Sequence, residues 1–278
     1  MSFAELSEYR RTPPPRSVAA LATAVLGLRR APAVIVIRDD VPLFVASPHF
    51  TTLEVMPTSA SASTPHQSAL PLLPQRGVLP RDPARGEGLQ SVALKAFSYN
   101  VPRWLDDDFV RSVERLGYSL RVDTEESGRW NDFSDVDVVL CTHPDDLDDE
   151  RRKPPTKLIA AWSANVIPIC GDYIGYREIG DATTMVIADR DADGYLEALR
   201  RLRDDPSLVA QVRASMPEAA SRFSTDRVID GYVAAIARAP RAKRHQAFTA
   251  LCGALAVDIL ARVGRLFRRA RRTSPAPI

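Results

Sequence analysis

From Val92 onward, short apolar runs alternate with stretches in which apolar residues recur every three or four positions. Val92 to Phe97, Tyr118 to Val122, Val136 to Cys141, Val166 to Cys170 and Thr184 to Ala188 read as strands. Between them, Asp107 to Leu116 carries Phe109, Val113 and Leu116 on one helical side. A second helix is predicted within Lys153 to Ala164, its two prolines tolerated in the first turn and Leu158, Ala161 and Trp162 at helical spacing. Near-continuous apolar strands separated by helices predict βαβ units and a mainly parallel sheet covered on both faces. Cys141, Cys170 and Ala188 should then end at one edge of that sheet. Asp193 to Arg203, Pro206 to Met216 and Thr225 to Arg238 read as three closing helices.

Ahead of Val92 the pattern is thinner. Ser17 to Arg30 reads as a helix with Val18, Leu21, Val25 and Leu28 on one face, and Ala33 to Ile37 as a buried β-branched strand. Leu43 to Ala46 and Leu53 to Met56 are further strand candidates. Pro57 to Gly88 is rich in Pro, Ser and Ala and is expected to hold little regular structure. Its charged, turn-like part, Leu79 to Gly86, reads as an ordered crossing. The division expected is a reduced N-terminal α/β lobe with the crossing segment over 1–88, a Rossmann-like domain over 89–240, and a tail over 241–278.

The organising stretch is Lys153-Pro154-Pro155-Thr156-Lys157-Leu158-Ile159-Ala160-Ala161-Trp162-Ser163-Ala164, followed by the strand to Gly171 and the loop into Gly175-Tyr176-Arg177-Glu178. It resembles the nucleotide-sugar-binding half of a GT-B glycosyltransferase. There a Lys-Leu-x-Glu-Ala-x-Ala-Ala-Gly-x-Pro helix–strand precedes a Gly-x-x-Glu loop. The matching positions are Lys157-Leu158, Ala161 to Ala164 and Gly175 to Glu178, within a resemblance covering roughly Val92 to Ile236. The family's ribose-binding glutamate falls at Ala160, its glycine at Asn165, and its proline has moved to Pro168.

That resemblance implies two unequal Rossmann-like lobes and a metal-independent transfer of sugar from a nucleotide-diphosphate donor, with no cofactor. Lys153, Lys157, Gly175, Tyr176, Arg177 and Glu178 would bind the donor. A helix start flanked by lysines suits a diphosphate, which needs positive charge and free backbone donors; the same lysines also read as a solvated pair balancing Asp145 to Glu150. Glu178 would approach the donor sugar, or cap a helix as an acid in its first turn. The alternative is a non-catalytic relative that binds sugar nucleotides or glycans, or a membrane-associated partner.

For an acceptor base the sequence offers Asp39, Asp40 and His143. The two aspartates end the best strand of the first lobe, where Asp also serves turns. His143 follows a strand at its carboxyl end, and the plainer reading of it is a partly exposed loop histidine. Asp145-Asp146-Leu147-Asp148-Asp149-Glu150 fits a DDxxD spacing, but Arg151-Arg152-Lys153 offsets it, and it is taken as a solvated loop; no metal is assigned. His49 and His66 lie in poorly patterned segments. No Ser-His-Asp order or nucleophile elbow supports a hydrolase.

Charge adds one feature. Of 37 basic and 35 acidic residues, ten bases and one acid, Asp258, fall in 238–272, leaving 27 bases and 34 acids elsewhere. The basicity lives in the tail, which argues against general nucleic-acid binding. Residues 243–272 keep an apolar stripe through Phe248, Leu251, Leu255, Ile259, Val263, Leu266 and Phe267. A basic amphipathic helix there would lie on an anionic membrane surface or dock on the acidic body. The three cysteines, Cys141, Cys170 and Cys252, are widely spaced, and Cys141 and Cys170 end predicted buried strands, so free thiols are expected, which suits a reducing, cytoplasmic compartment; the basic tail adds the expectation of peripheral contact with the inner face of the membrane. The sugar, the base of the nucleotide and the acceptor stay open.

Overall fold

In the computed structural model of the chain the described residues are 35–37, 53–62, 67–143 and 150–238. The chain divides into two compact units, one of residues 1–37, 42–54 and 236–278, the other of residues 38–41 and 55–235. The expected helix at 17–30, the strand at 43–46, Asp39, Asp40, His49, His66, the acidic run from Asp145 to Asp149, Cys252 and the basic tail lie outside the described residues.

Two sheets are formed. Ile35–Ile37 (β1), Leu53–Met56 (β2) and Gln67–Ala69 (β3) make a small sheet in the order β1-β2-β3. The larger sheet contains Ser91–Lys95 (β4), Ser119–Asp123 (β5), Val138–Cys141 (β6), Ile167–Gly171 (β7) and Val186–Ala188 (β8), in the order β5-β4-β6-β7-β8. All its pairings are parallel. Cys141 pairs with Cys170, and Gly171 with Ala188, so these strands end together at one edge. The helices are Asp107–Arg115 (α1), Thr156–Ser163 (α2), Ile174–Ile179 (α3), Ala192–Asp204 (α4), Pro206–Arg222 (α5) and Thr225–Arg238 (α6). The α/β class and the parallel sheet expected from the alternation are the observed ones.

The core explains why the strands read as continuous apolar runs. Every residue of β6 and β7 is buried. Leu158, Ile159, Ala160, Ala161 and Trp162 of α2 are buried as well, and the Trp162 indole N–H donates to the Thr184 carbonyl at 2.8 Å. The hydrogen bond satisfies the one polar atom of a large ring taken out of water.

Two departures from the family pattern have local explanations. Asn165 follows the end of α2 with φ +56°, a conformation that favours glycine but that asparagine tolerates. The N–H of Asn165 donates to Trp162 O at 3.1 Å, and that of Val166 to Ala161 O at 3.0 Å, the double bond of a Schellman cap. Asparagine therefore supports the turn that a glycine would. Pro168 sits in β7 opposite Val139 of β6, while pairing with β8 begins one residue later, at Ile169. Its missing N–H removes no bond that β8 could accept.

Three sequence expectations need adjustment. The segment from Pro57 to Gly88 holds strand β3 and short 3₁₀ turns at Ser59–Ser61 and Pro83–Arg85. Helix α5 runs on to Arg222 through Pro217 instead of ending at Met216. Helix α3 begins at Ile174, so Gly175 to Glu178 lie inside a helix instead of leading into one.

The crossing from Leu79 to Gly86 is ordered by one buried carboxylate. Asp137, 1% exposed, accepts from Arg81 Nε at 2.8 Å and from Arg85 Nε and Nη2 at 2.9 and 2.8 Å. The backbone N–H groups of Gln90 and Ser91 complete the set, both at 2.9 Å. Burial opposes the charge of Asp137, but the Arg85 guanidinium, these N–H groups and Arg81 hold its pKa well below the usual carboxylate range.

Candidate functional site

The carboxyl ends of β6, β7 and β8 collect most of the described residues that the sequence singled out. His143 leaves β6, Asp172 and α3 follow β7, Arg190 follows β8, and Lys157 rises from the first turn of α2. In an open parallel sheet this end is where backbone loops diverge and ligands bind.

His143 is 8% exposed. Its ring stacks on Tyr176, with centroids 5.4 Å apart and 11° between planes, and meets Tyr173 edge-on at 4.7 Å. Burial pushes its pKa well below 6.5, and the positive charges of Lys157, Lys153 and Arg190 push it further. At neutral pH the imidazole is uncharged and enclosed, which suits it to shape the site more than to carry protons.

Lys157 is partly buried and donates to the Thr142 carbonyl. Burial above all, with the charge of Lys153 beside it, lowers its pKa to about 8. Among the described residues no side chain caps α2, and no acid sits in its first turn. The predicted pair of lysines thus flanks a helix start, as the sequence suggested.

The Gly175-Tyr176-Arg177-Glu178 group is placed differently from one residue to the next. A Cβ on Gly175 would lie 2.8 Å from the Lys153 carbonyl oxygen, so the glycine lets α3 pack against the chain leading into α2. Tyr176 is 1% exposed, and its buried hydroxyl has no hydrogen-bond partner among the described residues. Arg177 holds the Asp172 carboxylate in a fork, with Nε to Oδ1 at 2.6 Å and Nη2 to Oδ2 at 3.0 Å. Glu178 lies in the last turn of α3. Its carboxylate accepts from the Ser59 N–H and hydroxyl, both at 2.8 Å, and from the Ala60 N–H at 2.9 Å. It is therefore not an N-terminal cap of its own helix.

Asp172, Ile174, Arg177, Glu178 and Arg190 line an open cleft of about 320 Å³. Two of the six predicted donor-binding residues are on its wall, and Arg190 and Asp172 join them. The strand-end rule that picked out His143 applies equally to Arg190, two residues past β8, and would have found it. Nothing local in the sequence signals Ser59 as the partner of a glutamate 119 residues away. Among the described residues no cluster of three or more His, Cys, Asp or Glu could hold a metal, and no helix is long and apolar enough to cross a membrane.

No protein-family model and no curated protein matches the sequence. Solved structures do match in shape. The Anabaena protein HepE, solved with UDP and glucose, superposes with a TM-score of 0.54 at 10% identity, over 80% of this chain and 76% of HepE. TarM matches with a TM-score of 0.47 at 11% identity, and WaaG, a glycosyltransferase involved in lipopolysaccharide biosynthesis, with 0.43 at 16%. These two cover 67% and 66% of this chain, which spans 43% of TarM and 61% of WaaG. At such identities the likeness is one of fold, and the fold it gives this chain is that of the GT-B glycosyltransferases.

Proposed function

We propose that this chain binds a nucleotide-diphosphate sugar at the carboxyl ends of β6 to β8 and transfers the sugar to an acceptor. The observation that carries this reading is the cleft walled by Arg177 and Glu178, on a fold that in HepE is solved with UDP and glucose. Lys157 and Lys153 bring positive charge to the uncapped start of α2, an arrangement suited to a departing diphosphate. Such stabilisation needs no metal. Asp39 or Asp40 would supply the base that takes the acceptor proton, and His143 would close the floor of the site. The protein would act in the cytoplasm. The basic segment 243–272 would bring it to anionic lipid, so vesicle sedimentation should show binding that high salt abolishes. Equal binding to neutral vesicles would discard that part.

A second reading has its own support. Ala160 is buried and brings no carboxylate where the family has its ribose contact, and Glu178 is occupied by Ser59 and Ala60. A non-catalytic relative would bind the nucleotide sugar and stop there. Release of free nucleotide from a panel of sugar nucleotides, with and without glycan and lipid acceptors, separates the two. The transferase reading predicts turnover with at least one donor. Binding without turnover across the panel would favour the non-catalytic relative.

A further inference from the structure

We propose that Arg190 is an anion-binding residue of the cleft, taking an oxygen of a diphosphate ligand in exchange for the carboxylate of Glu150. The identity of the ligand as a nucleotide sugar rests on the reading above; its charge class does not.

The geometry starts with the backbone. Arg190 follows β8, and its guanidinium lies over the ring of Tyr173, 4.4 Å from the centroid. Nε donates to the Asp172 carbonyl at 2.7 Å, and Nη2 reaches the same carbonyl and Glu150 Oε2, the latter at 2.6 Å. These contacts hold the guanidinium in one plane. They leave Nη1 with no protein acceptor among the described residues. Asp172 holds a second arginine through its carboxylate, Arg177, whose Nε and Nη2 are used in the same way. Two guanidinium groups are thus tied to one residue, and all three side chains line one cleft.

Charge favours exchange. The Arg190 and Glu150 side chains are 47% and 27% exposed, and ion pairs so open to water hold weakly. A phosphoryl group carries more charge than a carboxylate and accepts two parallel N–H bonds from one guanidinium. The two acids that line the cleft are already engaged. Asp172 is engaged by Arg177, and Glu178 by three donors from Ser59 and Ala60. The charges acting on the buried His143 beside the cleft, from Lys157, Lys153 and Arg190, are all positive.

An arginine that merely staples the Asp172 loop to Glu150 would behave differently. Removing either partner of a staple loosens the loop, so both losses would act on binding in one direction. In an exchange, Glu150 is the competitor, and its neutralisation helps the ligand. The test is calorimetric titration of the full chain and its Arg190→Gln and Glu150→Gln variants with inorganic pyrophosphate and with UDP, at low and high salt. Melting curves confirm that each variant is folded. We expect Arg190→Gln to weaken pyrophosphate binding about tenfold or more, as the loss of a charge-assisted contact does, and Glu150→Gln to strengthen it several-fold. Shifts of both variants in the same direction, or no change in Arg190→Gln, overturn the proposal. Pyrophosphate binding that depends on Arg190, with no binding of UDP or sugar nucleotides, supports it and overturns the nucleotide-sugar reading. UDP binding indifferent to Arg190 overturns it and leaves that reading standing. No binding of either probe overturns the proposal, and no binding of any member of the sugar-nucleotide panel overturns the nucleotide-sugar reading as well.

Discussion

Asp137→Ala should destabilise the fold by about 3–5 kcal/mol, the usual cost of removing one partner from a buried ionic network. The carboxylate is 1% exposed, and two arginines, two backbone N–H groups and the Ser91 hydroxyl donate to it. Without it the guanidinium of Arg81, whose side chain is 6% exposed, keeps its charge in a buried site with no carboxylate opposite. Set against a typical domain stability of about 5–15 kcal/mol, that loss is a large fraction. Urea unfolding should show a lower midpoint with an unchanged slope. The effect should also depend on pH. Because the folded-state pKa of Asp137 is depressed, its contribution is fully present above the ordinary carboxylate pKa and is lost as the pH falls below it. Parent and variant should therefore converge in acid. A loss under about 1 kcal/mol at neutral pH would mean that the network is not what orders the crossing segment.

That network marks the limit of what the sequence disclosed. The alternation from Val92 onward was enough for the parallel sheet, because strands covered on both faces leave an unbroken apolar run that helices interrupt. The common edge of Cys141, Cys170 and Ala188 followed from the same logic. The boundaries of α3 and α5 were harder. A glycine inside α3 looks like a loop residue until its absent Cβ is seen to be the space that the Lys153 carbonyl needs, and Pro217 looks like a stop that α5 runs through. Long-range polar pairs were not legible at all. Arg81 and Arg85 meet Asp137 across more than fifty positions, and Ser59 meets Glu178 across 119. No spacing rule reaches that far. The place of the candidate site, at the carboxyl ends of the strands, was legible, and the arrangement of its side chains only partly so. The engagement of Glu178 by Ser59 depends on tertiary placement alone, whereas Arg177 meets Asp172 only five positions away, across the start of α3.

Lys157→Ala should weaken binding of a nucleotide sugar by about tenfold to a hundredfold, the expected loss for one charge-assisted contact to phosphate. The lysine stands in the first turn of α2, where backbone N–H groups and a positive side chain would act on the same anion. Its lowered pKa gives this prediction a second, sharper form. With the free protein's Lys157 at about 8, the ammonium is present at pH 7 and is progressively lost above pH 8. Affinity in the parent should fall as pH rises through that range, by up to about tenfold per unit until the bound-state pKa is passed. The Lys157→Ala variant should lack that decline. A variant that binds as tightly as the parent at pH 7 would remove Lys157 from the site. Loss of the fold in Lys157→Ala is not expected, because among the described residues the amine makes one bond, to the Thr142 carbonyl, and its burial as a charge is unfavourable.

The central claim is that the carboxyl ends of β6, β7 and β8 hold a nucleotide sugar, and calorimetric titration of the full chain with UDP and a panel of sugar nucleotides tests it most directly. The account predicts saturable binding at one site per chain, weakened by rising salt and by raising the pH above 8. No heat of binding from any member of the panel, with the protein shown to be folded by its melting curve, would contradict it.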